Sequence, residues 1–184
     1  MNTDGIILHS ILLGLLAWAA MLDLKTRKIP NWLTFSLIGV GLVISLLPVG
    51  LITPAQAVVG FFAGLALPFV LFAIGALGAG DVKLMAGIGA CLGAKAAVAI
   101  FIAAMVVALV IVIGQATVQG TLMALLKNSA LLVLMVVNIR QLGAKHISET
   151  GKQCRSVGKP LPYAVPILIA TVVMLMAPEL MRVM

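Results

Sequence analysis

The chain has 184 residues, 63% of them hydrophobic and 9% charged, with a mean hydropathy of +1.26. That apolar share excludes an ordinary soluble domain, whose core could not bury it, and makes lipid the solvent for most of the chain. A net charge of +7 would suggest nucleic acid in a soluble protein, but here the basic residues sit in a few connections between apolar segments. That is the pattern of a positive-inside bias, so no nucleic-acid partner is expected.

In chain order, apolar segments fall at about residues 5–24, 32–50, 56–77, 82–94, 96–118 and 162–180. A helix needs roughly 20 residues to cross a hydrocarbon core of roughly 30 Å. The pattern predicts an all-α membrane protein, a polytopic bundle of about six transmembrane helices. The first run, Ile6 to Leu22, follows the acidic start Met1-Asn2-Thr3-Asp4 and precedes Lys25, Arg27 and Lys28. This order suits a retained helix with its N-terminus outside rather than a cleaved signal peptide. The uncharged stretch Leu47 to Gln56, with Pro48 and Pro54, suits the outer face, and alternation returns Gly78 to Lys83 to the cytoplasm. Val82 to Ala94 is short for a crossing and reads as tilted, set in a thinned region, or re-entrant.

The 120–160 connection carries Lys127, Arg140, Lys145, Lys152, Arg155 and Lys159, and the same alternation places it inside. Its apolar stretch Ser129 to Ile139 is too short to span, which predicts a cytoplasmic interfacial helix. Gly143 to Pro160 reads as an exposed polar loop. Residues 1–184 thus form a single membrane-embedded domain.

Of the five acidic residues, Asp4, Glu149 and Glu179 lie at a terminus, in a loop and at the end of the last helix. Asp23 and Asp81 each adjoin an apolar segment, where a charge at mid-membrane depth costs roughly 2.5 to 3.5 kcal/mol. Two crossings separate them, so both carboxylates come to the cytoplasmic boundary. Two neighbouring carboxylates cannot both ionise cheaply: one holds a proton while the other stays charged. Such a pair can activate water and polarise a peptide carbonyl without a covalent intermediate.

Plainer readings stand beside this one. Gly78-Ala79-Gly80-Asp81 also suits a turn at a helix start with Asp81 as N-cap, and Asp23 suits an exposed acid paired with Lys25 or Arg27. Gly60 with Gly64, and Gly89 with Gly93, have the spacing that lets helices approach closely within a bundle. Pro68 reads as a tolerated kink. Cys91 and Cys154 form no C-x-x-C and read as free thiols, while His9 and His146 are isolated, so no metal site is expected.

Taken together, Asp23 with Thr26, Arg27, Ile29, Pro30 and Asn31, followed by Gly78-Ala79-Gly80-Asp81-Val82-Lys83-Leu84, resembles the two signatures of type IV prepilin peptidases. Their order and their places on the first and fourth helices match as well. The resemblance implies a cofactor-free aspartyl endopeptidase of the bacterial inner membrane. Its substrates would be prepilin-like proteins with a short basic leader, usually ending in glycine, before a hydrophobic stem. By the same resemblance Asp23 and Asp81 are the catalytic pair, supported by Gly78, Gly80, Lys83, Thr26, Pro30 and Asn31. Leu161 to Pro166 resembles the proline-containing entry to the family's last helix, a structural role. Long family members carry an insertion with paired cysteines and methylate the new N-terminus; this chain lacks the insertion, which implies cleavage without methylation. The short form is similar to peptidases of tight-adherence (Flp) pili and, more distantly, to archaeal preflagellin peptidases. Two rival readings are a proton- or cation-coupled transporter using Asp23 and Asp81, and a noncatalytic assembly subunit. Beyond the Gly-x-Gly-Asp motif there is no match to intramembrane peptidases of the presenilin kind.

Overall fold

The computed structural model describes residues 3–47, 52–73, 75–120 and 162–177, all helices and their connections with no strand among them. The interfacial helix expected at 129–139 and the polar loop at 143–160 lie outside the described residues. In chain order the helices are α1 (Thr3–Thr26), α2 (Asn31–Leu46), α3 (Pro54–Ala73), α4 (Ala79–Leu92), α5 (Ala94–Val118) and α6 (Ala164–Met176). Among them α1, α3 and α5 contain stretches long and apolar enough to cross a membrane, and α2 and α6 are shorter apolar helices. Large apolar side chains such as Trp18, Phe35, Phe62, Val70 and Val110 face outward. A soluble protein rarely exposes so continuous an apolar surface, whereas lipid accepts it. The chain is an all-α membrane protein.

The fourth helix explains itself by where it sits. With 14 residues it is roughly 21 Å long, too short to cross alone. From Asp81 to Cys91 every residue except Lys83 is buried, because α2 and α3 pack along it and α5 crosses it. It is a continuous helix inside protein, where lipid does not set its length. Its small residues make this packing possible. A Cβ added at Gly60 would collide with the Gly89 carbonyl oxygen, and one at Gly89 with the Gly60 carbonyl oxygen; at Gly64 it would strike the Met85 carbonyl. The backbones of α3 and α4 therefore touch. This is the close approach that the Gly60/Gly64 spacing predicts; Gly93 instead takes φ +84° and makes the turn from α4 to α5.

Two boundaries differ from the sequence expectation. The third segment, expected to reach residue 77, ends at Ala73. There Gly75, at φ +78°, donates to the Phe72 carbonyl (2.9 Å) and Ala76 to the Leu71 carbonyl (2.9 Å), a C-terminal cap that a left-handed glycine permits. The fourth helix begins at Ala79 with Gly78 as N-cap, so Asp81 lies inside its first turn rather than capping it. The reason is that Asp81 reaches back to the Gly78 N–H, which satisfies one helix-end donor from within the helix.

Helix propensity alone would make Gly→Ala stabilising by up to about 1 kcal/mol in any of these helices. At the α3–α4 contact the sign reverses. Gly60→Ala and Gly89→Ala should each lower stability by about 1–3 kcal/mol through overpacking. Gly39→Ala in α2, where the new Cβ meets nothing within 4 Å, should be neutral or slightly stabilising. Unfolding of the purified protein in detergent, followed by circular dichroism, checks all three.

Candidate active site

α1 ends where Arg27 turns into the left-handed region at φ +53°, its N–H bonded to the Asp23 carbonyl at 2.9 Å. The Thr26 hydroxyl lies within reach of the Leu22 (2.9 Å) and Lys28 (3.1 Å) carbonyls and spans the same turn. Pro30, at φ −62° and ψ 139°, is the N-cap of α2 and its carbonyl accepts the Leu33 N–H at 3.2 Å. Proline is suited to this place because it sets φ and has no N–H to satisfy. Asn31, the first residue of α2, accepts a hydrogen bond from the Lys83 ammonium at 2.8 Å. The same ammonium lies 5.5 Å from the Phe35 ring centroid. Lys83 thus ties the start of α2 to the first turns of α4, on the flank of Asp81.

The glycines before Asp81 have separate reasons. A Cβ at Gly80 would sit 3.1 Å from the Ile29 side chain, so the α1–α2 turn packs directly on this residue. One at Gly78 would sit 2.9 Å from the Asp81 Oδ2 atom. Gly78 donates its N–H to that oxygen at 3.3 Å. Thr26, Pro30, Asn31, Gly78, Gly80 and Lys83 therefore all lie in the small region where two chain segments meet, holding the α1–α2 turn against the start of α4.

Asp23 and Asp81, from α1 and α4, line one cavity of about 470 Å³ with Arg27, Gly78, Ala108, Val112 and Tyr163. Both acids are buried, at 8% and 9% exposure. Asp23 is thus not the exposed acid of the plainer reading, although the Arg27 charge on the same cavity wall still attracts it. Its Oδ2 accepts the backbone N–H of Ala164 at 3.2 Å, the first residue of α6, rather than a hydrogen bond from Lys25 or Arg27. That N–H is one of the unpaired donors at a helix start, and a helix N-terminus also favours negative charge. Asp81 Oδ1 is buried and has no hydrogen-bond partner among the described residues. Burial, and then the neighbouring Asp23 charge, push the Asp81 carboxyl up to about 7, against the opposing Gly78 N–H. The Tyr163 phenol is pushed up to about 12 by burial and by the Asp81 charge.

One acid holding a proton near neutrality beside a second carboxylate is the arrangement that general acid–base chemistry on a peptide requires. Parity of crossings anticipates the meeting of the two acids. It does not anticipate Tyr163, Ala108 and Val112, which come from α5 and the start of α6. The proline-containing entry to the last helix is thus part of the cavity wall and not only a structural element. The one available sequence signal was an isolated tyrosine between Pro162 and Ala164 in an otherwise apolar run.

A family model described as the type IV leader peptidase family matches residues 10–113, more than half of the chain. The match contains both aspartates and stops within α5, before α6. No curated protein and no solved structure matches.

The position of the Asp81 proton has two measurable consequences. In pH-difference infrared spectra of the protein in lipid nanodiscs, a protonated-carboxyl band should titrate near pH 7 and vanish in Asp81→Asn. The second concerns stability. The folded carboxyl titrates near 7 and the ordinary one near 3.8, so between these values the folded state binds the extra proton. Stability then falls as pH rises through this window. Asp81→Asn removes the effect, and its thermal midpoint should gain on wild type as pH is raised from 4 to 7.

Proposed function

The chain belongs to the type IV leader peptidase family, and from this premise we propose that it is an aspartyl endopeptidase with Asp23 and Asp81 as its catalytic pair. The observation that carries the reading is the meeting of these two buried carboxylates in one cavity, from helices distant in sequence. Asp23 is the ionised partner and general base; Asp81 is the protonated partner and general acid. Since Asp81 Oδ2 accepts the Gly78 N–H, its proton resides on Oδ1, the atom without a partner among the described residues.

The reaction then runs through water. Asp23 takes a proton from water as its oxygen bonds to the scissile carbonyl carbon, and Asp81 Oδ1–H donates to the carbonyl oxygen. A neutral tetrahedral diol results. On its collapse the carbon–nitrogen bond breaks, the departing nitrogen takes the proton held by Asp23, and Asp81 recovers its proton from the diol. No covalent intermediate and no metal or cofactor is needed by this scheme.

The substrate is a prepilin-like precursor of the tight-adherence (Flp) type, with a short basic leader cut at the cytoplasmic face of a bacterial inner membrane. The basic Lys25, Arg27 and Lys28 on the α1–α2 turn support that orientation of the site. Methylation does not follow cleavage, since the sequence has no insertion with paired cysteines. The family match favours a peptidase, and nothing favours the transporter reading.

The test is cleavage of such a precursor by wild type, Asp23→Asn and Asp81→Asn at matched levels in membranes. Each variant should lose activity by roughly 10²–10⁴-fold, the usual worth of a positioned acid or base. Retained cleavage in either variant refutes the pair. Wild-type cleavage should also fall as pH rises through about 7, because Asp81 then loses the proton it must donate. Mass spectrometry of the mature product should find an unmethylated N-terminus.

A further inference from the structure

The two-aspartate scheme leaves the phenol of Tyr163 without a task. Tyr163 is half-buried, lines the same space as Asp23 and Asp81, and lies close enough to Asp81 to feel its charge. Its neighbour Ala164 donates the N–H that holds Asp23. Tyr163 is therefore tied through the backbone to the residue that holds one acid, and it lines the cavity together with the other. Its hydroxyl makes no hydrogen bond among the described residues. Asp81 Oδ1, on a side chain that is nine-tenths buried, likewise has no hydrogen-bond partner among the described residues. Two groups capable of donating to one acceptor thus line the cavity together, each without a hydrogen-bond partner among the described residues.

We propose that the Tyr163 hydroxyl is a catalytic residue, a second hydrogen-bond donor to the scissile carbonyl oxygen beside Asp81 Oδ1. This deepens the aspartyl-peptidase reading and rests on it. A peptide carbonyl oxygen has two lone pairs, and Asp81 occupies one of them. The phenol takes the other and keeps its own proton throughout: it forms and breaks no covalent bond. Its hydrogen bond strengthens as water adds to the carbon and negative charge builds on the oxygen, so it acts on the transition state more than on the bound substrate. A tyrosine suits the task because its phenol is an uncharged donor that keeps its proton well above neutrality even without burial. The residue lies outside the stretch that the family model matches.

The experiment is steady-state cleavage of a prepilin-type precursor by full-length wild type, Tyr163→Phe, Asp23→Asn and Asp81→Asn, reconstituted in nanodiscs. Phenylalanine keeps the ring and removes only the hydroxyl. The expected result is a kcat about 10- to 1,000-fold lower for Tyr163→Phe, with KM within a few-fold of wild type and an unchanged thermal midpoint. Wild-type kcat in Tyr163→Phe, while both Asn variants are inactive, overturns the role of Tyr163 and leaves the aspartate pair standing. Cleavage by either Asn variant instead overturns the underlying pair, and the proposal with it. A loss of rate that accompanies a lowered thermal midpoint makes the phenol a packing group. An unchanged maximal kcat with a displaced alkaline limb places its hydrogen bond on Asp81. Both of these outcomes overturn the assignment.

Discussion

Holding two carboxylates together out of water is the constraint on which this site depends. Each buried acid loses hydration, and each makes the other's charge more costly. The fold offsets this with backbone N–H groups taken from places that have them to spare, the starts of helices. Asp81 draws on Gly78 at the start of its own helix, and Asp23 on Ala164 at the start of α6. Asp23 needs this help more. It lies in the last turn of α1, where carbonyl groups end the helix and an acid is unwelcome.

That arrangement explains why so much packing precision is devoted to α4, the short helix that α2, α3 and α5 pack against. α4 carries Asp81 in its first turn, and its depth is fixed by backbone contact with α3 at Gly60–Gly89 and Gly64–Met85. Bulkier residues would move the helix axis outward and the acid with it. At the other flank, Lys83 bonded to Asn31 and Ile29 seated on Gly80 hold the α1–α2 turn, and so the end of α1 that bears Asp23. The residues around the two acids act on the site through these contacts.

Much of this was legible in the sequence, for reasons that differ by residue. Helix positions follow from apolar runs, because lipid allows few other structures. The parity of crossings brings Asp23 and Asp81 to one boundary, and the glycine spacing gives a close helix contact. What the sequence hides is non-local. Nothing near Asp23 indicates that its hydrogen-bond donor lies at Ala164, far along the chain, or that Ala108, Val112 and Tyr163 close the cavity. The early end of α3 and the early start of α4 were hidden for a different reason. An apolar run shows what lipid tolerates, whereas a helix end is decided by a few hydrogen bonds around Gly75 and Gly78.

The bond from Ala164 to Asp23 joins the first of the described helices with the last. A ribosome that has threaded α1 to α5 into the bilayer has delivered both acids but not the N–H that steadies one of them, nor the wall that carries Tyr163. On the proposed reading of the pair, the site is complete only once α6 has been made. If Asp23 and Asp81 are the working pair, a product stalled before α6 would be an unarmed protease.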